Sequence, residues 1–179
     1  DADLSHSNNF SIIPMFYESS FGQHFRATAL IFGNLNIPNG AIITNAYIRY
    51  RAAGSNSGTV NITLNGHNAD TSTTFTAGDI SSLTAAPKTS ASVSWAPASW
   101  SAGSYYNTPD IKNIIQQIVS RPGWASGNSL TVFQNRISQS TNTRRAYAHS
   151  PGYEANAPEL FITYEDPCKP EIPSPVFTA

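Results

Sequence analysis

The sequence predicts an all-β fold: an antiparallel β-sandwich, jelly-roll-like, carrying one short α-helix at about 108–120. Three observations lead there. Short runs alternate apolar and polar residues, clusters of Gly, Pro and Asn separate those runs, and one segment alone repeats its apolar residues at helical spacing. At 179 residues the chain has the length of one domain and enough to bury a core. The expected organisation is an N-terminal arm over 1–9, a sandwich over 10–166 and a Pro-rich C-terminal arm or linker over 167–179.

Taken in order, the chain turns apolar from Phe10, and Phe25 to Phe32 reads as a strand closed by Gly33-Asn34. Pro38-Asn39-Gly40 is a turn. Beyond it, Ala46, Ile48 and Tyr50 alternate with Tyr47, Arg49 and Arg51, so the two sets face opposite ways on a half-buried strand. Val60, Ile62 and Leu64 form a further strand that Asn65-Gly66 is expected to end. Thr71 to Lys88 reads as a surface excursion rich in Ser and Thr. Ser90 to Trp95, Leu130 to Phe133 and Arg144 to His149 are later strands, and Leu160, Ile162 and Tyr164 mark the closing one.

The helix has its own logic. Thr108 is placed as its N-cap, Pro109 stands where a missing N–H costs nothing, and Asp110 complements the positive end of the dipole. Ile111, Ile114, Ile115, Ile118 and Val119 make one apolar stripe, and Pro122-Gly123 stops the run. A lone helix with one greasy face is expected to plug an open end of the sandwich or to cross one of its faces.

Composition narrows the function classes. Charged residues make up 12% and net charge is −1, which argues against nucleic-acid or acidic-membrane partners. No run reaches the ~20 apolar residues that span a bilayer. Polarity from Ser, Thr, Asn and Gly suits an extracellular or particle-exposed surface. With Asp1 first and no basic-then-apolar leader, the expectation is a processed or excised chain. The single cysteine, Cys168, forms no disulfide within the chain and is left as a tail thiol or an inter-chain partner. Pro167, Pro170, Pro173 and Pro175 favour an extended, stiff segment suited to contacting a neighbour.

The succession Ile37-Pro38-Asn39-Gly40-Ala41, Val93-Ser94-Trp95, Trp100, Thr108-Pro109-Asp110-Ile111, Arg121-Pro122-Gly123-Trp124, Gly127-Asn128 and Ala157-Pro158-Glu159-Leu160 resembles a family of bacterial extracellular β-sandwich modules. These occur beside DNRLRE-type domains and carbohydrate-binding jelly rolls in surface and secreted proteins, with related sequences in phage particles. The likeness spans about residues 20 to 165 and implies fold and location rather than chemistry. One departure is Ile31, where the family often carries Arg between two apolar strand residues.

No catalytic motif stands out. The histidines His6, His24, His67 and His149 lack ligand spacing, the carboxylates form no recognisable pair, and no nucleophile elbow is present, so the chain is read as non-enzymatic, without metal or cofactor. Asp70 and Asp79 are a conceivable Ca²⁺ pair set against the plainer reading of two solvated loop acids. The aromatic residues carry the better case. Trp100, Tyr105 and Tyr106 lie in a loop-like stretch, and Arg144, Arg145, Tyr147, His149 and Tyr153 form a second polar-aromatic cluster; Trp100, Tyr105, Tyr106, Arg144, Arg145 and Tyr147 are taken as a candidate glycan platform. Each has a plainer alternative: Trp100 braces its loop, and one of Arg144 and Arg145 turns inward onto carbonyls. Trp95 is expected in the core and Trp124 over the helix end.

The expected function is a non-catalytic structural or adhesive subunit of an extracellular, cell-surface or virion assembly, its arms contacting other copies of itself or a parent surface protein. The alternative is a carbohydrate-binding module of a secreted multidomain enzyme, with polysaccharide as partner.

Overall fold

The computed structural model describes residues 12–15, 27–72, 85–137, 142–149 and 154–166. The two expected arms, including Pro167, Cys168, Pro170, Pro173 and Pro175, lie outside the described residues, as do Asp79 and Tyr153. Among the described residues nine strands and one α-helix follow in the order β1 (Ile12–Met15), β2 (Ala27–Phe32), β3 (Ile42–Arg51), β4 (Ile62–His67), β5 (Lys88–Trp95), β6 (Tyr105–Asn107), α1 (Lys112–Val119), β7 (Leu130–Arg136), β8 (Arg144–Tyr147) and β9 (Glu159–Glu165).

One sheet has the order β2-β7-β4-β5. The other is built from β6-β3-β9 and β1-β8, joined where Ala52 bridges Ala146 and the Ala53 N–H donates to the Arg145 carbonyl at 2.8 Å. All the strand pairs are antiparallel. β4 pairs with β5, β3 with β6, β2 with β7 and β1 with β8. The first eight strands are therefore one long hairpin, folded at the β4–β5 connection and rolled so that successive rungs alternate between sheets. That is the jelly-roll arrangement, with β9 added beside β3. Inward residues of both sheets close the core, among them Ile48, Tyr50, Ile62, Leu64 and Val132, all at 1% exposure or less.

The helix plugs the sandwich, touching β3 of one sheet and β4 and β5 of the other. Ile111, Ile114, Ile115, Ile118 and Val119 are fully buried, each contributing about 2 kcal/mol of transfer free energy as an upper figure. Room for it comes from Gly66: a Cβ there would stand 2.7 Å from Ile118 Cδ1 and 2.9 Å from Ile114 Cγ2. This overturns the expectation that Asn65-Gly66 ends its strand. β4 continues to His67 because the missing side chain seats the helix rather than turning the chain. Just past the helix end, Asn39 Nδ2 donates to the carbonyls of Arg121 at 2.8 Å and Trp124 at 3.2 Å, so a distant turn holds the segment that leaves α1.

The start of the helix also differs from the sequence reading. Helical geometry begins at Lys112, with Ile111 as N-cap and no side-chain cap bond from that residue. Thr108 is not the cap because its hydroxyl accepts the Ile48 N–H at 3.0 Å, while its own N–H donates to the Ile48 carbonyl at 2.9 Å. Asp110 Oδ1 accepts from Ala46 N–H at 3.1 Å and from Lys112 N–H at 2.8 Å. Residues 108–111 thus extend the pairing that β6 makes with β3; Thr108 serves that pairing alone, while Asp110 serves both β3 and the first helical N–H.

Candidate functional site

The face of the second sheet turned away from the core carries the clearest concentration of recognition-type side chains. Strand alternation builds it. Ile48, Tyr50 and Ala52 are buried, so Tyr47, Arg49 and Arg51 project outward. Register then brings their partners. Arg51 lies opposite Tyr105 of β6, Arg49 opposite Glu159 and Tyr47 opposite Phe161 of β9. The Ala52–Ala146 bridge sets Arg51 opposite Tyr147 on its other side.

The resulting contacts are continuous. The Arg51 guanidinium lies 5.8 Å from the Tyr105 ring centre and 5.9 Å from that of Tyr147, and it donates to Asn156 Oδ1. The Arg49 guanidinium sits 4.6 Å from Phe161 and 5.1 Å from Tyr105, and donates through Nε and Nη2 to Glu159 Oε2 at 2.9 and 2.8 Å. Tyr47 and Phe161 stack at 5.0 Å with an interplanar angle of 11°. Such cation–π and cross-strand contacts are worth roughly 0.5–1 kcal/mol each when exposed, so they hold the side chains in place without hiding them. Tyr105 remains 52% exposed.

Six residues were expected to form a glycan platform, and strand parity divides them. Tyr105, Tyr147 and Arg145 share the outward face; Arg145 is exposed, and its neighbours Arg144 and Ala146 are buried. Trp100, Tyr106 and Arg144 point inward. Trp100 is 2% exposed, not on an open loop, because an antiparallel bridge to Asn56 ties its backbone down and Tyr106 stacks on it at 4.9 Å. Tyr105 and Tyr106 are correspondingly in a strand rather than a loop. Tyr50, Trp95 and Trp100 continue the aromatic row inside, with centroids 5.8 to 6.4 Å apart. Burial pushes the Tyr50 hydroxyl far above its usual range, so it stays protonated.

Arg144 follows the plainer reading offered for it. It is 1% exposed and donates to the carbonyls of Pro97, Ala98, Ser57, Gly58 and Thr143 at 2.7 to 3.3 Å. Desolvation lowers its pKa, partly offset by Tyr106. It clamps the loops around 57 and 97 from within. Tyr47, Arg49, Arg51 and Phe161 were not singled out as site residues. The alternation at 46–51 already set Tyr47, Arg49 and Arg51 on one face, but Glu159 and Phe161 lie more than a hundred residues downstream of Arg49 and Tyr47.

Other polar groups are engaged structurally. Asp70, one half of the conceivable Ca²⁺ pair, accepts from Arg121 Nε at 2.6 Å and so is no free loop acid. Among the described residues no group of three or more His, Cys, Asp or Glu is placed to hold a metal ion. His67 meets Ser72 Oγ at 3.0 Å through Nδ1; burial, then the charges of Arg121 and Lys88, lower its pKa. No described helix is long and apolar enough to cross a membrane.

Compared with known proteins, the chain matches no protein-family model and no curated protein.

Proposed function

We propose that this chain is a non-catalytic structural or adhesive subunit of an extracellular, cell-surface or virion assembly, and that it makes its contact through the outward face of the β6-β3-β9 sheet and the adjoining β8. The observation that carries this reading is the row Tyr105–Arg51–Tyr147, which runs across three strands with its side chains held toward solvent. Tyr and Arg are the residues that dominate recognition surfaces, since each offers a large, stiff contact area with a polar end. Sparse charge and a surface rich in Ser, Thr, Asn and Gly agree with exposure outside the cell, as does the DNRLRE-like sequence pattern.

A second reading, a carbohydrate-binding module of a secreted enzyme, is favoured by the exposed Tyr105 ring beside Arg49. A flat ring with adjacent donors is what a sugar face needs. Light scattering across a concentration series separates the two. Assembly that Tyr105→Ala and Arg49→Ser weaken supports the structural subunit. A monomer at all concentrations that binds saccharide, with binding lost in the same variants, transfers the face to the carbohydrate-binding reading. If the substitutions alter neither assembly nor binding, the face is not the contact surface.

A further inference from the structure

The charge on this face leans positive in a chain whose net charge is −1. Arg49, Arg51 and Arg145 project outward; Glu159 Oε2 is held by Arg49, and Glu165 lies at the far end of β9 opposite Ile42. Arg51 and Arg145 have no carboxylate within ion-pair distance among the described residues. Arg51 is held by Asn156 and by two tyrosine rings, and its Nε, buried within the row, has no hydrogen-bond partner there. A guanidinium fixed in this way is pre-organised for an anion, because little side-chain freedom is lost on binding.

Geometry narrows the anion. Tyr105 and Tyr147 flank Arg51 on strands two apart, about 10 Å by strand spacing. That is close to the length of a disaccharide unit, so two sugar rings can lie over two tyrosines with an acidic substituent between them. Strand addition by an acidic peptide needs a free backbone edge. β3 is the central strand, between β6 and β9, so around Arg51 the face presents side chains, away from the outer backbone edges of β6 and β9 that strand addition would use.

We infer that the ligand of this face is an anionic polysaccharide, its carboxylates or sulfate esters meeting Arg51 and Arg145 while its sugar rings pack on Tyr105 and Tyr147. This rests on the outward face being the contact surface, and it names what that surface contacts.

The test is calorimetric titration of the full chain with four probes of matched length: oligogalacturonate, sulfated dextran, unmodified dextran and oligoglutamate. Expected is binding of oligogalacturonate, sulfated dextran or both at least tenfold tighter than dextran or oligoglutamate, weakening as salt rises. Which of the two anions binds tells uronate from sulfate. Arg51→Gln and Arg145→Ser should each reduce it fivefold or more, and Tyr105→Ala likewise. Arg145→Ser is the variant on an exposed side chain and keeps the test open should Arg51→Gln fold poorly. Equal binding of dextran, lost in Tyr105→Ala, would overturn the anionic ligand and leave the face as a contact surface. Equal binding of oligoglutamate would assign it to an acidic protein. No binding of any probe, or binding indifferent to all three substitutions, would overturn the inference; the scattering experiment with the Tyr105→Ala and Arg49→Ser variants then decides separately whether the face makes contacts at all.

Discussion

Gln116 and Gln117 are neighbours on α1 yet hydrogen-bond to opposite sheets. Gln116 accepts the Ile43 N–H at 2.8 Å and donates to the Ala41 carbonyl at 3.0 Å, both at the start of β3. Gln117 accepts the Ala91 N–H of β5 at 2.9 Å. Successive helix residues point about 100° apart, so the pair joins the two sheets across the gap the helix fills.

Replacing Gln116 by Leu strands two backbone groups and should cost about 2 kcal/mol, whereas Gln117→Leu strands one and should cost about 1 kcal/mol. Urea unfolding checks this, with midpoints shifting in that order and slopes unchanged. Equal midpoints in both variants and the parent would show that water replaces the amides at no cost.

Trp100 and Tyr105 are five residues apart and should respond to truncation in opposite ways. Trp100→Ala opens the aromatic core and is expected to lose about 3–5 kcal/mol. Tyr105→Ala, on the exposed face, gives up two exposed cation–π contacts and should lose only about 1 kcal/mol while removing ligand contact. Thermal melting of the two proteins is sufficient, and a large drop for Tyr105→Ala would mark it as structural.

Arg144 satisfies five carbonyls from the inside of the sandwich. Arg144→Met keeps much of the volume but leaves those oxygens without a donor, so a loss of about 3 kcal/mol or more is expected. Arg144→Lys should recover little, because one ammonium has three donors and no planar fork. Full recovery by lysine in a denaturation series would show that charge alone, not the fork, holds the loops.

His67 should make the fold acid-sensitive above the range where carboxylates titrate. Its folded-state pKa lies below the ordinary 6.5 because burial, then Arg121 and Lys88, oppose the charged ring. Above pH 6.5 the ring is neutral folded and unfolded, so stability is at its full value. As pH falls from there toward the lower folded value, the unfolded chain takes up a proton that the fold resists, and stability declines. His67→Gln should flatten that decline as pH falls below about 6.5. An identical pH profile in the variant would mean the ring is not coupled to folding.

Some of the candidate face was readable in advance. Alternation over Ala46–Arg51 set Tyr47, Arg49 and Arg51 on one side, and a split of the Arg144-Arg145 pair between inside and outside was the plainer alternative to placing both on the platform. What sequence spacing does not carry is register. Tyr105 meets Arg51 only because β6 pairs with β3, and Tyr147 meets it only through the Ala52–Ala146 bridge. Trp100 misled for a related reason: Ser, Gly and Asn around it signal a loop, and the bridge to Asn56 that buries it is a contact across 44 residues.

Local pattern alone determined that this protein is an all-β sandwich with one helix, because period-2 and period-3.6 burial are properties of a segment and its own side chains. The tertiary structure decided where that helix begins, since the Thr108 hydroxyl can serve either a helix end or a neighbouring strand and only the position of β3 settles which. It decided likewise that Gly66 seats a helix instead of ending a strand, and that two tyrosines and an arginine from three distant segments stand in one row. Those outcomes depend on which strands pair, and pairing is set by the packing of the whole chain rather than by any stretch of it.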